Sequence, residues 1–172
     1  MCTDEPVGDR TEPEIRLEPD VERRGFEELR LGEVFDLPPR RFDTGAFVAF
    51  QRVSGDGHPM HYNRDDCRAR GHADILAHGL MVTSYGAAGA GTFPYVVEDC
   101  ILGMLEQSTR FLRPVVRGDE LRGRFRVAEL RPQRTTGVVA MDLEIDNQDG
   151  VRVAEGRHTY LLRLRGGNGH KG

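Results

Sequence analysis

Apolar and polar positions divide the chain into two halves with different rhythms. In the second half they alternate. Leu121, Phe125 and Val127 are interleaved with Arg122, Arg124 and Arg126, and Met141, Leu143 and Ile145 with Asp142, Glu144 and Asp146. Val151 and Val153 resume after Asn147-Gln148-Asp149-Gly150, a hairpin turn signal, and Tyr160, Leu162 and Leu164 extend the last run. A period of two predicts strands with one dry and one wet face. Ile101–Leu112 is a further strand candidate, joined to Leu121–Leu130 through Pro114 and the Gly118-Asp119 turn. The first half, Phe26 to about Cys100, is irregular. Leu31–Phe35 predicts a short first strand that Pro38-Pro39 ends. Phe47, Phe50 and Val53 fall at three-residue steps after Asp43-Thr44, which predicts a capped helix. Ser54–Pro59 predicts a turn, and Asn63 a cap for a helical turn reaching Arg70. From His78 to about Ala90 the residues are small and apolar nearly all round, which predicts a buried helix. The sum is an α+β chain: an antiparallel sheet wrapped around one central apolar helix.

Composition sharpens this in a few places. At 172 residues the chain fits one domain, at 25–165, with an N-terminal arm at 1–24 and a tail at 166–172. The arm is rich in Asp, Glu, Arg and Pro, and the tail in Gly; both are expected to be flexible. The net charge of −4 gives no sign of a nucleic-acid partner. No apolar run reaches membrane-span length, and Met1 to Pro6 lacks the order of a signal peptide. Cys2, Cys67 and Cys100 have no metal or redox spacing and fit reduced thiols in the cytoplasm.

The chemistry is concentrated between Ser54 and Leu80. Asp56 and His61, five positions apart across Pro59, can meet on one side of a loop. A carboxylate and an imidazole holding one water can activate it and deliver a proton. Gly79 opens the apolar helix, where an unpaired N–H favours negative charge on a carbonyl oxygen. His78 reads as an anchor between loop and helix. Asp56, His58, His61, His72 and His78 could surround an ion, but no further spacing signature supports this, and no metal is expected. Ser84 and Tyr85 are candidates to line a substrate channel. The row Arg122, Arg124 and Arg126 could meet an anionic cofactor tail, although a solvated strand face explains it as well.

The run from Phe50 through Ser54-Gly55-Asp56, His58-Pro59-Met60-His61 and Asn63, then Ala77-His78-Gly79-Leu80, resembles the MaoC-like dehydratase family, which includes the (R)-specific enoyl-CoA hydratases. Phe111-Leu112-Arg113-Pro114-Val115 with Gly118-Asp119-Glu120-Leu121 is similar to the family's strand and turn after its central helix. The likeness covers roughly Gly32 to Leu164. It implies a hotdog fold, normally a homodimer. It implies hydration of a trans-2-enoyl thioester, or dehydration of a (3R)-hydroxyacyl thioester. Asp56 and His61 would hold the water, and the Gly79 N–H would polarise the carbonyl, with His58, His78, Ser84 and Tyr85 around the substrate. No metal or redox cofactor is implied; coenzyme A or a phosphopantetheine carrier protein would deliver the acyl group. Two positions depart from the pattern. The family's Asn before Pro is His58, which can support the loop through a ring nitrogen or alter the pH profile. A family serine falls on Ala87, and the stretch Gly86–Gly91 suggests room for a larger or branched acyl chain. A hotdog thioesterase with Asp56 as base, and a non-catalytic acyl-binding protein, are the alternatives.

Overall fold

The computed structural model describes residues 19–87 and 91–165. It contains a single antiparallel sheet in the order β1-β3-β4-β5-β2. The strands are β1 (Val34–Arg41), β2 (Ile101–Phe111), β3 (Glu120–Pro132), β4 (Thr136–Asp146) and β5 (Arg152–Arg163). The helices α1 (Thr44–Ser54), α2 (Arg64–Ala69), α3 (Gly79–Tyr85) and α4 (Phe93–Val96) all lie between β1 and β2 in the chain. The helical segment is thus one long excursion linking the two edge strands.

The alternation holds where it was clearest. Phe125 stands opposite Leu143 and Val127 opposite Met141 across β3 and β4. Leu121, Phe125, Val127, Met141, Leu143, Ile145 and Leu162 are each no more than 1% exposed. Burying a side chain of this size stabilises a fold by roughly 1.5–3 kcal/mol, so this face drives the sheet together. The opposite face is wet. Arg124 Nε donates to Glu144 Oε2 at 2.6 Å, and Arg122 reaches Glu120, so the arginine row is a solvated strand face with its own counter-charges. The core continues into the excursion through edge-on contacts of Phe93 with Phe35 and of Tyr85 with Phe42.

Three expectations are corrected. Pro38-Pro39 does not end the first strand. That strand starts at Val34, leaves Leu31 exposed, and runs through both prolines to Arg41 with a register shift between Leu37 and Arg40. Proline cannot donate to a ladder, but β1 is an edge strand, where one side needs no donor. The central helix is also shorter than its apolar run. It ends at Tyr85, with the Gly86 N–H donating to the Thr83 carbonyl at 3.0 Å in a tightened last turn, and a separate helix starts at Phe93. Nor is it buried all round: Met81, Val82 and Tyr85 are buried while Leu80 is 71% exposed. Finally, Val53 continues the three-residue steps of α1 yet is 88% exposed, because only the turn around Phe47 reaches the core.

Residues 1–18 of the expected arm, the tail at 166–172, and 88–90 lie outside the described residues. Just after residue 18, Val21 packs against the core, Arg24 N–H donates to the Val96 carbonyl at 2.7 Å, and Arg23 pairs with Glu98 and Asp99. Among the described residues no helix is long and apolar enough to cross a membrane.

One buried group ties this core to pH. His158 on β5 is 2% exposed and sits against Phe125, with Nδ1 at 3.1 Å from the Tyr160 hydroxyl and Nε2 without a partner among the described residues. Burial pushes its pKa down from 6.5 to about 4. The unfolded chain takes up this proton near pH 6.5 and the folded chain only near pH 4. Its contribution is therefore fully present above pH 6.5 and is lost as pH falls across that window, by about 3 kcal/mol. Thermal unfolding should show Tm declining between pH 6.5 and 4, with a shallower decline for His158→Phe. Parallel declines in the two proteins would mean that His158 does not gain a proton on unfolding.

Candidate active site

The site grows from the end of α1. Asp43 Oδ1 caps the helix start by accepting from the Ala46 N–H at 2.9 Å. At the other end Gly55 takes a left-handed conformation, φ +72°, that a side chain would strain, and its N–H donates to the Gln51 carbonyl at 2.8 Å. The chain is thereby turned into Asp56. Its N–H donates to Ser54 Oγ, and its Oδ1 accepts from the His58 N–H at 3.0 Å. His58 Nδ1 accepts from the Met60 N–H at 3.3 Å, capping the 3-10 turn Pro59–His61. Asn63 Oδ1 accepts from the Asp65 and Asp66 N–H groups and starts α2. His61 therefore sits on a turn braced on both sides by side-chain caps.

The protonation pattern of His61 follows from one contact. Its Nδ1 lies 2.7 Å from the Leu76 carbonyl oxygen. A carbonyl only accepts, so Nδ1 carries the proton and the neutral ring presents a bare Nε2. The ring of His78 stacks on it, with centroids 3.6 Å apart and planes 23° from parallel. His78 is 3% exposed, with Nε2 at 3.2 Å from the Tyr62 hydroxyl and 3.8 Å from Asp56 Oδ2, and Phe50 closes over the ring at 4.9 Å. Its Nδ1 is buried without a partner among the described residues. An unpaired buried N–H is rarer than an unpaired acceptor, so the proton belongs on Nε2, facing the hydroxyl and the carboxylate.

Charge is unevenly divided among these groups. Desolvation pushes the His78 pKa down, the neighbouring His61 charge lowers it further, and Asp56 only partly opposes this. His78 is thereby held in its neutral form. The His58 N–H holds Asp56 below the usual carboxylate range, with the imidazoles assisting. Burial, then Asp56, raises the Tyr62 pKa, so its hydroxyl remains protonated.

Asp56, His61 and His78 thus converge, each offering a ligand atom within 4.8 Å of the others. They could meet a cation, but His78 can offer only Nε2, which already faces the Tyr62 hydroxyl. His58 and His72 stand outside this cluster. Gly79 is the first residue of α3, so its N–H has no acceptor within the helix. A Cβ there would lie 3.0 Å from the Phe111 ring, so a side chain at this position would have to push that ring aside. Ser84 and Tyr85 lie further along α3 beside a groove of about 380 Å³ between α1 and α3. Ser84 Oγ donates to the Met81 carbonyl, and Tyr85 Oη to the Pro38 carbonyl. Sequence reasoning missed Tyr62 and Phe50. Tyr62 follows the candidate His61 directly, which is a weak signal; Phe50 read only as helix core. It also missed Asp74, whose Oδ1 and Oδ2 both accept from Arg117 Nη2, at 2.9 and 3.1 Å, and which fixes the segment leading to Leu76.

Comparison with known proteins fits this geometry. The family model described as MaoC like domain matches residues 27–148, and the chain belongs to that family. It is 28% identical over 137 residues to the mitochondrial 3-hydroxyacyl-[acyl-carrier-protein] dehydratase of Arabidopsis thaliana, covering 78% of each chain. It is 26% identical over 153 residues to the 3-hydroxybutyryl-CoA dehydratase of Methylorubrum extorquens, covering 84% of this chain and 93% of the relative. Among solved structures, a Mycobacterium tuberculosis protein described as a double hotdog fold superposes with a TM-score of 0.70 at 24% identity, over 83% of this chain and 44% of that one. The fold is a hotdog.

The cap made by His58 is testable by itself. His58→Ala removes the acceptor for the Met60 N–H, a loss of about 1 kcal/mol or a Tm drop of roughly 2–4 °C. His58→Asn keeps a side-chain acceptor and should retain most of that stability in thermal unfolding. Equal losses in the two variants would rule out capping as the role of this ring.

Proposed function

We infer that this chain is a lyase that hydrates a trans-2-enoyl thioester, or dehydrates the corresponding (3R)-hydroxyacyl thioester. The observation that carries this reading is the Asp56–His61 pair, with the His61 Nδ1 proton committed to the Leu76 carbonyl. Its Nε2 is left as the proton acceptor beside an ionised carboxylate. A water held by Asp56 Oδ2 and His61 Nε2 would be aligned by both. Its oxygen bonds to C3 as its proton passes to His61 Nε2. The double-bond electrons move toward C2 and the thioester carbonyl, where the Gly79 N–H meets the developing negative charge. The proton then moves from Nε2 to C2, so water is added across the double bond and the enzyme is restored. One relay group on one face favours syn addition.

The names of the relatives support the same reaction class, one on an acyl-carrier-protein substrate and one on a CoA substrate. The reaction needs no resident metal or redox cofactor. The acyl group would arrive on coenzyme A or a phosphopantetheine carrier protein. A reducing compartment, the cytoplasm, is part of the proposal, since Cys67 and Cys100 are both buried free thiols.

The decisive assay is loss of enoyl-thioester absorbance on adding crotonyl-CoA. The wild type should consume it, and Asp56→Asn and His61→Asn should each lower kcat by about 10²-fold or more while circular dichroism is unchanged. Release of free thiol without loss of the double bond would replace this reading with a thioesterase.

We also propose that the chain forms a homodimer through β2. This strand is an unpaired sheet edge and exposes Leu102, Met104, Leu105 and Phe111, an arrangement that invites edge-to-edge pairing. Sedimentation equilibrium should return twice the 19.3 kDa chain mass, and Leu105→Lys should reduce it. A monomeric wild type would rule the dimer out.

A further inference from the structure

The groove beside the site carries charge of one sign only. Phe42, Ala49, Phe50 and Met81 form apolar walls, and Arg40 and Arg41 stand at the β1 end. No carboxylate lines it among the described residues. Phe50 is shared: its ring covers His78 on one side and walls the groove on the other. Ser84, five residues past Gly79 along α3, lies about 7–8 Å further along the helix axis. That is close to the length of an extended acyl chain of about six carbons.

Arg40 and Arg41 are exposed and, among the described residues, carry no counter-charge, as is also true of surface arginines such as Arg52 and Arg68, but these two line the groove. Arg110 pairs with Glu155, Arg117 with Asp74, Arg124 with Glu144 and Arg157 with Asp142. Among the described residues neither Arg40 nor Arg41 has a carboxylate partner. Glu120 stands opposite Arg41 in the sheet, but its carboxylate is turned to Arg122 at 3.0 Å. The Tyr85 hydroxyl donates to Pro38, leaving the floor of the groove neutral. Arg40 and Arg41 both line the end of this apolar slot, and a guanidinium that reaches into it suits a planar anion, which it can hold through paired N–H donors.

We propose that this groove is an acyl subsite for chains ending in a carboxylate, so that the preferred substrate is a short enedioyl thioester whose distal carboxylate meets Arg40 and Arg41. The orientation of the thioester end rests on the hydratase reading above. The test compares hex-2-enedioyl-CoA with hex-2-enoyl-CoA, equal in length and differing only in the distal group. In the wild type kcat/KM should favour the dicarboxylic substrate by on the order of tenfold or more. In the double variant Arg40→Gln, Arg41→Gln that ratio should fall to about one. A ratio near one in the wild type overturns the proposal.

An unchanged ratio in the double variant, with both substrates weakened equally, also overturns it and assigns the arginines to the carrier's phosphates. The same pair as N-acetylcysteamine thioesters, which have no phosphates, should keep the wild-type preference. Calorimetric titration of the wild type with adipoyl-CoA and hexanoyl-CoA reads the subsite without turnover. Tighter binding of adipoyl-CoA with no hydration of any enoyl thioester would keep the subsite and remove the hydratase reading. Hydration with no preference in either assay would do the reverse.

Discussion

The hydrogen bond from His61 Nδ1 to the Leu76 carbonyl joins two segments fifteen residues apart, and the geometry of the site depends on it. Leu76 is held in turn. Its N–H donates to the Met60 carbonyl, the Ala77 N–H to Val115, and the Arg117 N–H to Ile75. Arg117 clamps Asp74 with two hydrogen bonds, and Arg64 approaches the same carboxylate at 3.3 Å. The segment 74–77 is therefore pinned between the His61 turn and the chain leaving β2. This pinning sets which nitrogen of His61 is bare. It also leads directly into His78 and Gly79, so the acceptor nitrogen and the start of α3 share one support.

Within that frame the charges are sorted by environment. Two imidazoles in face-to-face contact cannot both be cationic without strong repulsion. Burial assigns the neutral role to His78, while His61, only half-buried, commits Nδ1 to the Leu76 carbonyl and leaves Nε2 bare. Asp56 keeps its charge chiefly because a backbone N–H, supplied by its own loop two residues on, stabilises the anion. Local turn chemistry and long-range packing thus act on adjacent groups in opposite directions. A carboxylate held ionised beside a bare imidazole nitrogen is the arrangement that proton relay needs.

The fold separates support from chemistry. The sheet buries its apolar face through β3, β4 and β5, and the candidate residues lie in the excursion between the two edge strands. Such loops tolerate sequence change while the scaffold stays rigid. The prolines of β1 are accommodated because they fall in the register shift between Leu37 and Arg40 of an edge strand, where neither pairs with β3.

Read alone, the sequence determined most of the sheet and the identity of the central pair. The two-residue period survives in any environment that offers one dry face, so the alternating stretches 121–127 and 141–145 were legible, whereas Gly137 to Met141 is buried at every position and Val151, expected to resume the strand, lies exposed just before β5. The caps at Asp43 and Asn63, and the Asp56–His61 spacing across Pro59, are local and act within a few positions of themselves. What only the tertiary structure decided involves partners far apart in the chain. The run from His78 toward Ala90 could not reveal that its helix stops at Tyr85, because small apolar residues suit both a long helix and a turn followed by another helix. Tyr62, Phe50 and Asp74 gain their roles from contacts 16, 28 and 43 residues away with His78 and Arg117. Bringing an imidazole stack, a carbonyl acceptor and a salt bridge into register is a property of packing, and no periodicity in the chain encodes it.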